Sequence, residues 1–384
     1  MRPGDLAMDD AKLMREAIGL ASGGLGSVSP NPTVGCLIVR DGMIVGTGCH
    51  ERYGGPHAEA NALAEAGSRA AGATAYVTLE PCNHFGKTPP CSRALIDAGI
   101  ARAVVAVEDP HAEAAGGIVA MREAGIEVTL GVERSAAVLA AAPYLKWVRT
   151  GRPVVHLKVA STLDGRIAGP VGRRDRITGI ESRRVVQRLR AESDAVMVGY
   201  RTVQADDPLL LPAGAEARGA RQPLRVVLDP HCSTSPGSQL AHTAEGGTPV
   251  LALVGAGADA SRRRAIEAAG VETCQVASAA GGGLDLGGVL GVLGERSVQS
   301  VLVEPGLRLA TALVAGGWVD RFSAFIAPRL MGADGMSMLG KLGLDSVERA
   351  IDLVGVSWAS AGADAHLSAW MPGLAWLREL MGDD

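Results

Sequence analysis

The sequence predicts an α/β protein of two domains, and three observations support this expectation. First, 384 residues are too many for one ordinary hydrophobic core. Second, short apolar runs typical of strands alternate with helical segments along the chain, as in a layered α/β fold. Third, the composition changes at Thr150-Gly151-Arg152-Pro153, which is typical of a linker. We therefore expect one domain over 1–149 and a second over 150–384.

The first domain opens with a predicted helix. Asp9-Asp10 is a capping signal ahead of an apolar helical face that ends near Ala21. A β-hairpin follows, with Asp41-Gly42 as the turn between strands over 34–39 and 43–48. Strands and helices then alternate, which completes a three-layer α/β sheet. The later strands of this domain are predicted over 75–79, 103–107 and 126–130.

Three residues between positions 57 and 91 carry the side chains of a zinc site. His57, Cys82 and Cys91 offer one imidazole and two thiolates, and a catalytic zinc keeps its fourth position open for water. Metal coordination lowers the pKa of that water to about 7. Each residue alone is more often an ordinary core residue, but the set in this order predicts a metal centre.

Glu59 completes the motif. It follows His57 by two positions, too close to bind the same ion comfortably, but well placed to carry a proton between water and a substrate. The order His-x-Glu, Pro-Cys, Cys is the signature of zinc deaminases, in which the glutamate is the general acid and base. Cys91 comes nine positions after Cys82, whereas the commoner signature has Cys-x-x-Cys. We expect His57 and Cys82 to begin helices, where the helix dipole stabilises a thiolate.

The loop between the two cysteines is a candidate substrate rim. It reads Asn83-His84-Phe85-Gly86-Lys87-Thr88-Pro89-Pro90, and its His84, Lys87 and Thr88 could together hold a phosphate. A solvated loop explains the same residues equally well. Asn31 can shape its turn or present its amide to a base, and His50 is more often structural than functional.

The second domain also alternates strands with helices. Its strongest helix is predicted over 181–191, and Glu304-Pro305-Gly306 joins a strand to a helix, which makes an anion cradle. The segment 255–260 resembles a dinucleotide fingerprint, but that pattern alone is weak, and we favour a plain loop. Strands are predicted over 154–159, 195–198, 224–228, 250–254, 298–303, 322–326 and 365–370.

Composition excludes several classes of function. The net charge of −4 and the aromatic content of 3% argue against nucleic acid as a partner. The sequence has no run of about 18 apolar residues and no apolar signal core at its N-terminus, so we expect no membrane association. The six cysteines lack disulfide-framework spacing. We therefore expect a cytoplasmic protein, and also a homo-oligomer, either a dimer or a tetramer.

The motifs together resemble the bifunctional riboflavin-biosynthesis deaminase/reductase family over nearly the whole chain. In the first domain the matching segments are SPNPTVG at 29–35, HAE at 57–59 and TLEPCNHFGKTPPC at 78–91. In the second they are LKVASTLDGR at 157–166, ITG at 177–179, LRAESDAVMVG at 189–199, TVQADDPLL at 202–210, PLRVVLD at 223–229 and VEPG at 303–306.

The resemblance implies a cytidine-deaminase-like αβα domain followed by a dihydrofolate-reductase-like α/β domain that binds NADPH without a Rossmann fingerprint. The first domain would deaminate a diaminopyrimidinone ribosyl phosphate with Zn²⁺, and the second would reduce the ribosyl chain to ribityl with NADPH. The implied substrate contacts are Asn31, His50, His84, Lys87, Thr88, Lys158, Arg190, Leu210 and Glu304. The implied cofactor contacts are Ala160, Arg176, Thr202, Asp206, Gly306, Leu307 and Arg308.

The sequence departs from the family pattern mainly in the second domain. Arg176 stands where the family commonly has Trp, Arg174 replaces a small polar residue, and Ala213 lies near the position of a family Arg. In the first domain, this chain has Asp109-Pro110-His111 where the family usually has Asn-Pro. Two alternatives therefore remain open. One is a deaminase whose reductase-like domain is altered or inactive. The other is a deaminase that acts on nucleic acid, against which the net charge and the few aromatic residues weigh.

Overall fold

The computed structural model describes residues 3–85, 89–170, 176–217, 221–244 and 246–382. Its contacts divide the chain into two compact units. The first comprises Met1–Gly151 together with Ala375–Asp384, and the second comprises Arg152–Leu374. In the described part of the chain, no helix has the length and apolar character needed to cross a membrane.

The first unit is built on a five-stranded sheet. Its strands are β1 (Gly35–Arg40), β2 (Met43–Cys49), β3 (Thr74–Val77), β4 (Arg102–Val105) and β5 (Glu127–Leu130). The spatial order is β2-β1-β3-β4-β5, with β1 antiparallel to both of its neighbours and β3, β4 and β5 parallel. All five predicted strands are therefore present. The helices of this part are α1 (Pro3–Ala21), α2 (Ala58–Ala66), α3 (Cys91–Asp97), α4 (Gly117–Glu123), α5 (Arg134–Ala140) and α6 (Ala142–Thr150).

Glycines let helices approach both faces of this sheet. A Cβ added to Gly35 would lie 1.9 Å from the carbonyl oxygen of Ala17 in α1, and one added to Gly48 would lie 2.1 Å from that of Ala58 in α2. Gly48 pairs with Cys36, so it shares a face with Cys36, and Gly35 lies on the opposite face. The sheet is thus covered on both sides, which gives the three predicted layers.

The helix α1 begins earlier than predicted. It starts at Pro3, so Asp10 lies inside the helix and does not cap it. The buried Asp10 carboxylate accepts hydrogen bonds from the Tyr76 hydroxyl at 2.8 Å and from Arg102 at 2.7 Å. An aspartate that resembles a cap in sequence is therefore an interior ion-pair partner.

The second unit is built on a nine-stranded sheet and a small two-stranded one. The strands are β6 (Val154–Thr162), β7 (Arg166–Ala168), β8 (Ala195–Gly199), β9 (Leu224–Leu228), β10 (Val250–Gly255), β11 (Glu272–Val276), β12 (Ser300–Val303), β13 (Arg321–Ala327), β14 (Met336–Ser337), β15 (Val354–Ala361) and β16 (Asp364–Trp370). The helices are α7 (Ile180–Ala191), α8 (Tyr200–Asp206), α9 (Gln239–His242), α10 (Ala260–Ala268), α11 (Leu286–Glu295) and α12 (Leu307–Ala315).

The order of the large sheet is β11-β10-β9-β8-β12-β6-β13-β16-β15. It is parallel from β11 to β13, and β16 and β15 are added antiparallel at one edge. The strand β12 comes late in the chain but lies between β8 and β6 in the sheet, so the strand order reverses there. In open α/β sheets, ligands bind at the carboxyl ends of the strands beside such a reversal.

The dinucleotide-like segment is a plain loop, as expected. It follows β10 and leads into α10, whose N-cap is Asp259. The side chain of Asp259 itself accepts hydrogen bonds from the amides of Ser261 at 2.7 Å and Arg262 at 3.0 Å. The amides that would hold a phosphate are therefore bound by the chain's own carboxylate.

The second half differs from the prediction in helix α13 (Ala375–Met381) and in the strands β7, β11, β14 and β15. The last helix, α13, contacts α5 and α6 and belongs to the first unit, although we expected 150–384 to form one domain. Its apolar residues Trp376, Leu377 and Leu380 are buried there. An amphipathic helix buries its apolar face, but its own sequence does not specify the surface against which it packs. The strand β15 was not predicted, although Val354, Val356 and Trp358 alternate with small or polar residues.

Candidate functional site

The metal-binding motif lies at the start of α2. His57 is the N-cap of this helix, with φ −75° and ψ 165°, as predicted. The glycines of β2 bring α2 close to the sheet, so the side chain of His57 is held against the sheet end. The His57 ring packs edge to face with that of His50, with ring centroids 5.0 Å apart.

The two cysteines are positioned differently from each other. Cys82 lies in an irregular segment after β3, and we were wrong to expect it at a helix N-terminus. Cys91 is the first residue of α3 and is buried. Pro89 and Pro90 precede Cys91, and a proline disfavours the helical conformation in the residue before it. The helix therefore begins at Cys91 and not at Cys82, where we expected it.

The three side chains converge to the geometry of one metal ion. The Nδ1 atom of His57 lies 3.6 Å from the Sγ atom of Cys82 and 3.3 Å from that of Cys91. All three ligand atoms lie within 4.8 Å of one another. Ligands about 2.0–2.3 Å from a tetrahedral zinc are separated by roughly 3.5 Å, so this donor set fits zinc. Hydrogen bonds with Cys91 and His57 lower the pKa of the Cys82 thiol, which favours the thiolate that binds metal.

Glu59 faces the same cavity from the first turn of α2. Its residue is only 3% exposed. Burial raises the pKa of the Glu59 carboxyl to about 6, within the range in which it can both accept and release a proton near neutral pH. The arrangement therefore combines a three-ligand metal site with a buried carboxyl group that can act as acid and base.

A cavity of about 310 Å³ opens in front of these residues. Its volume suits a small organic ligand. Six of the residues selected from sequence line it: Asn31, His50, His57, Glu59, Cys82 and His84. The third ligand, Cys91, is buried behind them.

Asn31 and His50 act as a pair. The His50 Nδ1 atom lies 2.9 Å from the Pro56 carbonyl oxygen, which can only accept, so Nδ1 carries the proton. The Nε2 atom of His50 then accepts a hydrogen bond from the Asn31 amide at 3.1 Å. Burial lowers the pKa of His50, which keeps the ring neutral. His50 therefore orients the Asn31 amide at the cavity.

The rim between the cysteines is described only in part. His84 is exposed and lines the cavity, and Phe85 beside it is exposed as well. Lys87 and Thr88 lie outside the described residues. Their predicted contact with a phosphate stays a prediction.

Several cavity residues were missed from sequence. Asp109 accepts hydrogen bonds from the Tyr144 hydroxyl at 3.0 and 3.2 Å, and both residues line the cavity with Trp147, His111 and Glu80. Asp109 and His111 could have been found from the sequence, because they depart from the family pattern. Tyr144 and Trp147 had none, because aromatic residues on a helix look like ordinary core residues.

The second unit holds a cluster of charges at the reversal of its strand order. Glu304, directly after β12, accepts a hydrogen bond from Arg190 of α7 at 2.6 Å and one from Lys158 of β6 at 3.3 Å. Burial alone would raise the pKa of Glu304, but the two cations outweigh it and lower the pKa to about 2. The structure thus brings together three of the four residues predicted to contact substrate there.

Leu210 is the fourth of these residues. Its backbone is left-handed, with φ 57°, which is uncommon for a residue with a side chain, and the side chain is buried. The next residue, Leu211, accepts a hydrogen bond on its carbonyl oxygen from Arg190 at 3.2 Å. This contact ties the loop after α8 to the charged cluster.

Three of the predicted cofactor residues lie at the N-terminus of α12, and a fourth, Thr202, is close to it. Gly306 is its N-cap, and Leu307 and Arg308 form its first turn. A Cβ on Gly306 would lie 3.9 Å from the Thr202 hydroxyl oxygen, so that hydroxyl is close by. The first amides of a helix lack partners within it, so these donors fit a phosphate group. Asp206 ends α8 and Ala160 lies on β6.

Two of the departures in the second domain, Arg176 and Ala213, are exposed. Arg176 is exposed, and its carbonyl oxygen accepts a hydrogen bond from Arg329 at 3.0 Å. Ala213 is exposed, and Arg174 lies outside the described residues. The role of Arg176 in cofactor binding stays a prediction.

A three-layer α/β unit with a His-Cys-Cys triad and a buried glutamate at one cavity defines the class of zinc-dependent deaminases. Comparison with known proteins agrees. Residues 7–107 match the cytidine and deoxycytidylate deaminase zinc-binding region, and residues 153–367 match the RibD C-terminal domain. The chain belongs to the RibD family of riboflavin biosynthesis proteins.

Individual relatives cover nearly the whole chain. The Escherichia coli (strain K12) riboflavin biosynthesis protein RibD is 40% identical over 351 residues, covering 88% of this chain and 93% of the relative. The structure of Acinetobacter baumannii RibD, form 1, has a TM-score of 0.84 at 35% identity, covering 96% of this chain and 100% of that one. A Thermotoga maritima structure named as a diaminohydroxyphosphoribosylaminopyrimidine deaminase and 5-amino-6-(5-phosphoribosylamino)uracil reductase has a TM-score of 0.80 at 31% identity, covering 95% and 99%.

These matches confirm the predicted fold class and the two-enzyme organisation. The protein is a zinc-dependent deaminase and an NADPH-dependent reductase in one chain. Because the relatives cover both units, nothing favours the alternative of a deaminase with an inactive second domain.

Proposed function

We propose that the first unit deaminates 2,5-diamino-6-(5-phosphoribosylamino)pyrimidin-4-one and that the second unit then reduces the ribosyl chain of the product to ribityl with NADPH. One observation carries the first half: the three ligand atoms lie within 4.8 Å of one another, and His57, Cys82 and the buried Glu59 line one cavity. The name of the Thermotoga maritima relative supports the choice of substrate.

His57, Cys82 and Cys91 hold the zinc in this proposal. The chemistry that zinc supplies when bound is the activation of a water molecule. Glu59 takes a proton from water at its carboxylate and delivers it to the nitrogen that leaves as ammonia. Its burial keeps bulk water from competing for the proton, which is why the carboxyl lies inside the cavity and not at its rim.

The remaining cavity residues bind and orient the pyrimidine. The amide of Asn31, held by His50, faces a ring edge, and His84 closes the rim. Lys87 and Thr88 follow in the same loop, and their cation and hydroxyl are suited to the substrate phosphate. Together these contacts present the amino-bearing carbon of the ring to the metal centre.

In the second unit, Lys158, Arg190, Leu210 and Glu304 bind the ribosyl phosphate product. Glu304 stays ionised between its two cations and accepts from sugar hydroxyls, while the cations attract the phosphate. NADPH, when bound, supplies the hydride. Its contacts are Ala160, Arg176, Thr202, Asp206, Gly306, Leu307 and Arg308, with the amides at the start of α12 on a phosphate.

The experiment that tests this proposal measures two products. The purified zinc-loaded protein is given the diaminopyrimidinone ribosyl phosphate, and ammonia release and NADPH oxidation are followed in the same reaction. We expect both, with NADPH oxidation dependent on prior ammonia release. Ammonia release without NADPH oxidation would contradict the second half, and a titration that detects no NADPH binding would confirm that result.

We further propose that the protein is a cytoplasmic homo-oligomer. Six of the eight residues of Val354–Ala361 are apolar or glycine, and β15 forms the outer edge of the large sheet. Val354, Val356 and Trp358 are exposed there at 47%, 45% and 63%. An exposed apolar edge strand is a template for pairing, so a second copy of the chain is the expected occupant. The six free cysteines suit a reducing compartment.

A further inference from the structure

We infer that Glu80 is a positioning residue for deamination. It fixes one wall of the cavity, formed by residues 109–118, against the segment 80–83 that carries the ligand Cys82. The inference rests on the proposed deaminase function, and it adds a residue to which the sequence assigned no role.

The contacts of Glu80 are all to backbone amides of the wall. One carboxylate oxygen accepts a hydrogen bond from Asp109 at 3.1 Å. The other accepts from Gly116 and Ile118, both at 3.0 Å. Glu80 is only 8% exposed, so these bonds lie in a region of low dielectric. A single side chain thus holds both ends of the wall.

Two further contacts show that the wall and the ligand segment are fitted to each other. The amide of Asn83 donates to the carbonyl oxygen of Ala114 at 3.0 Å. A Cβ added to Gly117 would lie 1.8 Å from the carbonyl oxygen of Pro81, so the backbones touch. A shift of the wall therefore changes its distance from the segment that carries the metal ligand.

The wall matters because its side chains line the cavity. Asp109, His111 and Ala114 all do so. The Asp109 carboxylate accepts from the Tyr144 hydroxyl and from the amide of His111 at 2.9 Å. By fixing the Asp109 backbone, Glu80 also fixes the hydrogen-bond acceptor of Tyr144, which lines the same cavity.

The chemistry of Glu80 suits this task. An ionised carboxylate only accepts hydrogen bonds, and all three partners only donate. Its negative charge also lies at the N-terminus of α4, where the helix dipole favours an anion. Glutamine in its place keeps one oxygen for Gly116 and Ile118, but turns an NH₂ group towards the Asp109 amide. Glutamine therefore releases Asp109 while it retains the start of α4.

The test uses Glu80→Gln in the full-length zinc-loaded protein. We expect KM for the diaminopyrimidinone ribosyl phosphate to rise roughly ten- to a hundredfold, because a displaced wall loses binding contacts that the ground state and the transition state share. The kcat should stay within about threefold, since the metal and Glu59 are unmoved. Zinc content and NADPH oxidation on the deaminated substrate should be unchanged. Glu80→Ala, where it folds, should raise KM further.

Hydrogen exchange on the same samples tests the wall directly. In Glu80→Gln the Asp109 amide should exchange faster, while the Gly116 and Ile118 amides stay protected. This readout needs no turnover, so it is independent of whether the proposed substrate is the right one. Failure of the proposed function would instead show as no ammonia release by the unsubstituted protein.

Asp10→Asn is the matched control. Asp10 is also a buried carboxylate of the first unit, but it pairs with Arg102 and Tyr76 and does not line the cavity. It should lower the melting temperature without changing KM. An unchanged KM and an unchanged Asp109 exchange rate in Glu80→Gln would overturn the inference. Loss of zinc from Glu80→Gln, or an equal rise of KM in Asp10→Asn, would overturn it as well.

Discussion

The Nδ1 atom of His57 lies 3.3 Å from the Sγ atom of Cys91, although 34 positions separate the two residues in the chain. Two helix starts bring them together: His57 caps α2 and Cys91 opens α3. Both helices thus present a ligand atom at the same place. This geometry is the basis of the first two predictions.

Removal of the proposed acid and base should abolish deamination but keep the metal. Glu59→Gln preserves the size of the side chain but cannot carry a proton, so we expect kcat for ammonia release to fall about 10²–10⁴-fold. Zinc content, measured by metal analysis, should stay at the level of the unsubstituted protein. Glu65→Gln, on the exposed side of the same helix, is the control and should keep full activity. Retained activity in Glu59→Gln would show that another group moves the proton.

Removal of a ligand should separate the two activities. Cys91→Ser should weaken zinc binding by more than about 100-fold, because substitution of even an outer-shell partner costs 10–100-fold. Ammonia release should then stop, while NADPH oxidation on the deaminated substrate continues. Cys274→Ser in the second unit is the control of equal size and should retain zinc. Full zinc occupancy in Cys91→Ser would rule out Cys91 as a ligand.

The charged cluster of the second unit should govern binding of the ribosyl phosphate. Arg190→Met removes one of the two cations that contact Glu304 and frees the Leu211 carbonyl, so we expect KM of the reductase for its substrate to rise about tenfold or more. Arg184→Met, an exposed position of the same helix, should leave KM unchanged. Steady-state NADPH oxidation measures both. Equal KM values for the two variants would remove Arg190 from the site.

The stability of the second unit should depend on pH through Glu304. Its pKa of about 2 in the folded state lies below the value near 4.3 of an unfolded chain. The ionised form therefore stabilises the fold at neutral pH, on the order of 3 kcal/mol, and this contribution is lost as the pH falls from about 4.3 to about 2. Hydrogen exchange of the amides of β6 and β12 should be faster in Glu304→Gln at pH 7. Near pH 2 the two proteins should exchange alike, and a difference that persists there would contradict this origin.

The exposed edge strand should decide the oligomeric state. Trp358→Lys places a charge on β15, which disfavours pairing with a second copy. We expect the apparent mass in light scattering to fall from an oligomer to a monomer, with zinc content unchanged. Val347→Lys is the control, since Val347 is 86% exposed but lies outside the strand. A monomeric unsubstituted protein would contradict the proposed oligomer.

Much of the site could be predicted from the sequence, because its chemistry depends on which types of side chain are present. The ligands, Glu59 and the substrate rim form short contiguous motifs, and zinc ligation restricts which side chains can serve. The walls of the cavity were not accessible in this way. Tyr144 and Trp147 line the cavity from α6, and the position of α6 depends on its packing against α5 and the distant helix α13.

Local patterns likewise gave the strands but not every boundary. Apolar alternation and turn residues set the five strands of the first unit, since these depend on neighbours in sequence. Asp10 has the same local pattern as a helix cap, and only its partners Arg102 and Tyr76 show that it is buried. The place of α13 on the first unit was equally hidden, because an amphipathic helix does not specify the face that it covers.

The sequence by itself determined the class of chemistry, the metal and the presence of two enzyme domains, and it predicted Glu59 as the acid and base. Each of these depends on which functional groups are present and how closely they follow one another. Tertiary structure alone decided three properties. These are the 3.3 and 3.6 Å distances from the His57 Nδ1 atom to the two Sγ atoms, the low pKa of Glu304, and the hydrogen bonds of Glu80 to the cavity wall. These properties depend on burial and on distances between residues far apart in the chain, and both are set only when the whole fold packs.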